Sequence, residues 1–458
     1  MKIAIVGSAT NSTPYSEFIP LAKYLSYRGD EPFFLIPKVS AIHIEEKLIS
    51  SGLPFYEGGD YYTPENSMST SQVDKKNKHH LLIRLVKKIT PNSVKSLALL
   101  LKEIRKYYCL SKEVEKVFSA ENPDLLIVYG DRTQNLTPPA IKAMRKRSKL
   151  VFDIQCTELP LYFLYSSMRK DKPEYSARSL INKTISWLWP HQARKFGSET
   201  VLFYPWPTTL SLAMHGMLPK QPWLVGESWA HKHLMLSEDA LNAHKRAGAK
   251  CDNALVVGQY SHDLLYQSYK GRAAQRKTLL GKYFDINMAA KLIIIALPQF
   301  YEHNLMPEEE SHSEIKYIVL SAISSGSIYV LLSLHPKMKL ERYLYLESIS
   351  PNVKLARSER LSEILPAGEG FVSAFPSTLT WAAMCSVASL HLNYYKFSGD
   401  GSRVRGCKIV RRREDLVSEM RGFGRAVEPL VGRRSLPPFD GRSGERIFAA
   451  IHGKEHNV

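Results

Sequence analysis

The feature that most constrains this chain is its rhythm. Short runs of Ile, Leu, Val and Phe recur along it, each followed by a longer stretch with apolar residues at helical spacing. A run that is apolar throughout has no face to give to water. It fits a strand buried on both sides, as in a parallel sheet covered by helices. The first set of runs is Ile3–Val6, Phe33–Ile36, Leu125–Tyr129, Leu150–Ile154, Val201–Tyr204, Trp223–Val225 and Ala254–Val257, with a helix expected over Tyr15–Arg28. A polar helical stretch, Ser261–Ala290, intervenes. A second set then begins: Leu292–Leu297, Ile328–Leu334, Val353–Ala356, Gly370–Ala374 and Leu390–Asn393. The expectation is two α/β domains of similar size, 1–260 and 261–458, which a chain of 458 residues can supply with separate cores. Two such domains facing each other leave a cleft at the C-terminal ends of their strands, where open α/β sheets take ligands.

Charge narrows the partners. Lys and Arg number 62 against 44 Asp and Glu, a net charge of +18, which favours phosphorylated ligands or an anionic surface. The basic residues are scattered, and no zinc finger, helix-turn-helix or RNA-recognition signature accompanies them, so nucleic acid is not an expected partner. The five cysteines, at 109, 156, 251, 385 and 407, contain no CxxC pair. That spacing argues against a disulfide framework or a zinc site and for a reducing compartment. The apolar run at the N-terminus is too short for a signal peptide, and no run approaches the ~18 apolar residues of a membrane span. The expected location is cytoplasmic, either free or peripheral on the inner membrane. Residues 64–115 interrupt the first set with basic Asp74–His80, mixed Leu81–Lys88 and then Leu97–Tyr108. They read either as an exposed loop with two surface helices or as a basic amphipathic anchor for an anionic membrane surface.

The chemistry-bearing segments follow strands of the second set. There is no GxxxxGK[ST] loop, no GxGxxG after the first strand, no HExxH and no Asp-x-Asp pair, so metal-free chemistry is expected. Ile328–Lys337 reads IYVLLSLHPK. Proline ends a central strand, which puts His335 at the strand's C-terminal end, where an imidazole can donate to a phosphate and Lys337 after Pro336 can add charge. Gly370–Thr378 reads GFVSAFPST and runs into a helix. Ser377 and Thr378 are suited to capping that helix, whose free N–H groups attract anions. Leu297–Asn304, LPQFYEHN, places Gln299, Glu302 and His303 at the end of the second domain's first strand, with Glu302 suited to accept sugar hydroxyls. The aromatics Phe203–Trp206, Trp223 and Trp229 read as core packing or as sugar-stacking faces, and Trp187 and Trp189 as a cover for the same surface or as residues that dip into lipid headgroups.

These segments resemble the GT-B superfamily, which includes nucleotide-sugar glycosyltransferases and UDP-N-acetylglucosamine 2-epimerases. The His-Pro and Ser-Thr pair is similar to motifs of bacterial sialyltransferases and Kdo transferases. Val256–Asp263 (VVGQYSHD) resembles the interdomain segment of the epimerases, and Phe439–Ile447 (FDGRSGERI) their C-terminal helix. The resemblance implies two Rossmann-like domains facing across a cleft and no cofactor. It implies a nucleotide-sugar donor, best matched by a CMP-linked acidic sugar such as Kdo or sialic acid, and a glycan or glycolipid acceptor of capsule or lipopolysaccharide. The donor phosphate would sit at His335 and the Ser377/Thr378 helix end. Such transferases carry their general base in an acidic-acidic-Gly motif. Here the nearest run is Glu57-Gly58-Gly59-Asp60, in a different order. Substitutes follow strands of the first domain: Glu158 in TELP, then Asp153 in FDIQ, then Asp131 in YGDR. An inverting glycosyltransferase is the leading expectation. A 2-epimerase-like enzyme and an inactive polysaccharide-assembly scaffold are the alternatives.

Overall fold

The computed structural model describes residues 1–7, 13–36, 44–57, 60–62, 92–156, 164–165, 169–284, 290–303, 305–324, 326, 328–335, 338–374, 378–395, 404, 407–423 and 436–454. The chain divides into two compact units, Met1–Tyr260 with Gly444–Val458, and Ser261–Ser443.

The strands of the first unit are β1 (Lys2–Val6), β2 (Glu31–Ile36), β3 (Phe55–Glu57), β4 (Asp60–Tyr62), β5 (Leu125–Val128), β6 (Leu150–Ile154), β7 (Ala193–Phe196), β8 (Glu199–Leu202), β9 (Lys232–Met235) and β10 (Ala254–Val256). Eight of them form a sheet in the order β10-β9-β6-β5-β1-β2-β3-β4. Pairing is parallel throughout except for β4, which runs antiparallel to β3. Along β1, Ile3 and Ile5 enter one core, with Phe18, Leu21 and Leu25 of the helix Thr13–Tyr27. Ala4 and Val6 enter another, with Val114, Val117 and Phe118 of the helix Asn92–Glu121. The two-residue period of a strand thus divides an all-apolar run between two helical layers.

The second unit repeats the scheme with β11 (Lys291–Ala296), β12 (Ile328–Ser333), β13 (Val353–Leu355), β14 (Gly370–Ser373), β15 (Ala388–Leu392) and β16 (Cys407–Val410). Their order is β13-β12-β11-β14-β15-β16, all parallel. Ile293 and Ile295 face one core while Leu292 and Ile294 face the other.

Three expectations are corrected. Val201–Tyr204 is not a strand of the parallel sheet: β8 pairs antiparallel with β7 and bridges to Ser176, and Val201, Phe203 and Tyr204 fill a separate cluster with Tyr107, Leu164 and Trp223. Trp223–Val225 is not a strand, because the carbonyls of Pro222 and Trp223 accept hydrogen bonds from Arg132 Nη1 at 2.9 and 3.0 Å rather than from a ladder. The sheet position goes instead to β9, whose Lys-His-Leu-Met sequence carries no apolar run. The expected second domain extended to residue 458. In the structure the helix Ser443–Ile451 drives Ile447, Ala450 and Ile451 into the core of the first unit beside β1 and β2. The expected helical stretch after 260 is two helices, Tyr260–Lys270 and Arg272–Tyr283, separated at Gly271.

Candidate functional site

In an open parallel sheet, ligands bind beyond the carboxyl ends of the strands where the winding reverses. In the second unit the chain moves from β11 outward to β12 and β13, then returns to β14 on the other side, so the reversal lies between β11 and β14. The residues just past these strands are the expected ones. His303 follows β11 and His335 follows β12, and their rings lie 6.0 Å apart, centroid to centroid, nearly perpendicular. Beyond β14, Thr378 Oγ1 donates to Ser373 Oγ at 3.3 Å. Thr378 makes no side-chain capping bond to the helix Leu379–Met384, which corrects the expected cap. The hydroxyl is turned back toward the strand end, and a helix of under two turns supplies little dipole. Behind this pair, His391 on β15 is fully buried, its Nε2 3.3 Å from the Ala374 carbonyl. Pro336, Lys337 and Ser377 lie outside the described residues.

Glu302 is divided between two roles. Its Oε1 accepts from Tyr343 Oη at 2.7 Å. Its Oε2 is buried with no hydrogen-bond partner among the described residues. Burial and the adjacent Glu302 carboxylate push the Tyr343 phenol well above its ordinary range, so Tyr343 stays a donor that fixes the Glu302 rotamer. Gln299 is half-buried, and its carbonyl accepts from the His303 N–H at 3.2 Å, which closes the turn after β11. A nearby hollow of about 720 Å³ is lined by Pro307, Glu308, Glu309 and His312. Two carboxylates make it a poor seat for phosphate.

The first unit reverses between β1 and β5, and β5 is followed by Tyr129-Gly130-Asp131-Arg132. Asp131 is 1% exposed. Its Oδ1 accepts from Gly226 N at 3.0 Å, and its Oδ2 from Ser228 N at 2.9 Å and Trp229 N at 2.8 Å. Burial, and then the charge of Asp153, raise its pKa despite these donors. Asp153 is 0% exposed. Gly130 N donates to its Oδ1 at 2.5 Å, and its Oδ2 lies 2.6 Å from His233 Nδ1 on the neighbouring β9, a close polar contact short of hydrogen-bond angles. The His233 ring stands 5.4 Å from that of His244, whose pKa burial pushes down to about 4. Arg132 is buried, stacks on Phe203 and, through its carbonyl, accepts from Tyr204 Oη. Both aspartates therefore hold the loops at the sheet's reversal point, enclosed by protein on every side. Glu158 lies outside the described residues. Among the described residues, no group of three or more His, Cys, Asp or Glu side chains is arranged to hold a metal ion.

No protein-family model matches the chain, and no curated protein matches it. Solved structures do. UDP-GlcNAc 2-epimerase from Neisseria meningitidis, bound to UDP-GlcNAc, superposes with a TM-score of 0.52 at 14% identity, over 99% of this chain and 100% of that one. S. aureus MnaA with UDP gives 0.54 at 12% identity over 100% and 98%. The calicheamicin glycosyltransferase CalG4 gives 0.52 at 11% identity over 99% and 95%. The chain shares the GT-B fold of these structures. Identities this low establish the architecture alone, and site roles have to come from the residues themselves.

Sequence reasoning missed Ser373, His391, Tyr343, His233 and His244. Ser373 and His391 sit at the ends of runs already read as strands, so their signal was present. His233 and His244 carried none, because their relation to Asp153 arises from the order of strands in the sheet.

Proposed function

We propose that the protein is a metal-independent glycosyltransferase that moves a sugar from a nucleotide-sugar donor to a glycan or glycolipid of the bacterial surface, capsule or lipopolysaccharide. The observation that carries this reading is that His303 and His335, in ring contact past β11 and β12, and Ser373 and Thr378, bonded at the end of β14, all stand at the carboxyl ends of neighbouring strands flanking the reversal of the second sheet. Imidazole and hydroxyl donors there suit a phosphate ester. As the glycosidic bond to the nucleotide breaks, negative charge grows on that phosphate, and donors already in place stabilise it. Glu302, held by Tyr343, has a buried carboxylate oxygen left to accept a sugar or ribose hydroxyl.

The acceptor hydroxyl must lose a proton as it attacks the anomeric carbon, a step to which a positioned base contributes typically ~10²–10⁴-fold. Glu158 is the first candidate, ahead of Asp153 and Asp131, whose carboxylates are enclosed and engaged. A CMP-linked acidic sugar is the proposed donor class. The second reading is a sugar-nucleotide 2-epimerase, favoured by the likeness in fold to the epimerases bound to UDP-GlcNAc and UDP.

Thermal unfolding with CMP, CDP, UDP, GDP and ADP separates the readings. A ligand that binds only the folded state adds roughly 2.7 kcal/mol at a hundred times its Kd. Selective stabilisation by CMP supports the transferase. Stabilisation by UDP, followed by conversion of UDP-GlcNAc without an acceptor, establishes the epimerase. No response to any nucleotide overturns both and favours a scaffold.

A further inference from the structure

The helix Leu180–Leu188 of the first unit is built inside out. It begins at Ser179, whose hydroxyl accepts from Asn182 N, a well-formed N-cap. Asn182 and Ile185 form its buried side. At about 100° per residue, the opposite side is a stripe of Trp187, Leu180, Thr184, Leu188 and Ile181. A surface helix ordinarily presents charge there. Here Leu180 is 82% exposed, Trp187 78%, and Ile181 and Leu188 50% each. Lone exposed apolar side chains are ordinary, but four of them on one side of a short helix, an indole among them, mark an interaction surface.

The surroundings state the sign of the partner. Between residues 169 and 195 the chain carries seven Lys and Arg against two Asp and Glu. Lys170, Lys172, Arg178 and Lys183 are exposed, and none of the four makes an ion pair among the described residues. A neighbouring helix shows the same combination. Asn92–Glu121 and Leu180–Leu188 both pack against Trp206–Met214, and the first of these exposes Leu97, Leu101 and Tyr108 with Arg105 and Lys112 beside them.

We propose that the outward face of Leu180–Leu188 is a docking surface for an anionic lipid bilayer, with Trp187, Leu180, Leu188 and Ile181 entering the headgroup and upper acyl region. Arg178, Lys183, Lys170 and Lys172 pair with lipid phosphates around it. No described helix is long and apolar enough to cross a membrane, so the attachment is interfacial. Neither protein nor nucleic acid fits as well. An indole flanked by unpaired cations suits the boundary between hydrocarbon and phosphate, where both halves of the patch are satisfied at once. The assignment stands apart from the reading of the nucleotide site.

The test is flotation of the full chain with vesicles of phosphatidylcholine alone and with 30% phosphatidylglycerol, roughly at the anionic content of a polybasic-binding membrane. Binding to the anionic vesicles, weakened in high salt, is expected. Leu180→Ser/Trp187→Ser is expected to reduce it about tenfold or more while leaving the melting temperature in place, since both side chains are exposed. Trp187→Phe keeps the binding but loses much of the fluorescence quenching by brominated lipid. Arg178→Gln/Lys183→Gln removes the preference for anionic vesicles. Equal flotation of the double serine variant and the unaltered chain overturns the proposal. So does an absence of vesicle binding, including the case in which sedimentation shows self-association that the serine variant abolishes, which reassigns the face to a second copy of the chain.

Discussion

At the residue scale, His335 and Asp131 illustrate two kinds of strand-end polar group. His335 is half-buried past the end of β12, near a second imidazole. His335→Ala is expected to weaken nucleotide affinity about tenfold, the usual worth of one hydrogen bond to a charged group. Isothermal titration checks it, and unchanged affinity removes His335 from the site. Asp131 belongs to the other kind. Its carboxylate satisfies three backbone N–H groups, that of Gly226 buried and those of Ser228 and Trp229 partly buried. Asp131→Ala strands those donors, so a stability loss of about 3–5 kcal/mol is expected in denaturant titration, before any question of activity. His244 adds a pH dependence. Its folded pKa, about 4, lies below the ordinary 6.5, so the unfolded chain binds the extra proton between those values. Stability is full above about pH 6.5 and falls as pH drops toward 4, by about 2 kcal/mol at pH 5 from this group. His244→Leu should flatten that part of the stability–pH curve. An unaltered slope would move its source to other histidines such as His262, which burial pushes down to about 3.

At the scale of elements, the loop 226–229 shows how a strand end is held. Gly226 has φ +79°, and a Cβ there would lie 2.4 Å from the His233 ring. Gly226→Ala therefore combines left-handed backbone strain with a clash against the side chain that meets Asp153. A loss of roughly 3 kcal/mol or more is expected, read as a lower melting temperature. The same element explains why Trp223–Val225 misled as a strand. Its apolar residues are buried, but Arg132 takes its carbonyls, and a hydrogen-bond destination is not written in hydropathy. β9 is the converse case. His233 is only 2% exposed, but it is polar, so the run Lys232–Met235 does not read as a buried strand.

At the scale of the whole molecule, the C-terminal helix ties the end of the chain to its first unit. Ile447 and Ile451 pack with Phe34 and Leu25, Lys232 Nζ donates to the Ala450 carbonyl at 3.2 Å, and His452 Nε2 lies 3.1 Å from Asp30 Oδ2. A chain ending at residue 442 should lose stability in the first unit while residues 261–442 keep their own core. Limited proteolysis would then release a resistant fragment near 261–442. Equal protection of both halves would show that the helix is dispensable. Ile447→Ala, at about 2–5 kcal/mol for a buried aliphatic truncation, is the milder version of the same test.

The α/β class, the two-core organisation and the strand-end positions of His303, His335 and Thr378 were determined by the sequence alone. They rest on local period and on where proline can sit, and both act over a few residues. The hairpin of β7 and β8, the use of Asp131 and Asp153 as supports, and the return of Ser443–Ile451 to the first unit were decided only by tertiary structure. So was the outward face of Leu180–Leu188. Its sequence mixes apolar residues with Asn182, Lys183, Thr184 and Ser186, and does not say which side a neighbour covers. Each of these depends on contacts between residues far apart in the chain, whose pairing follows from strand order and packing rather than from any local preference.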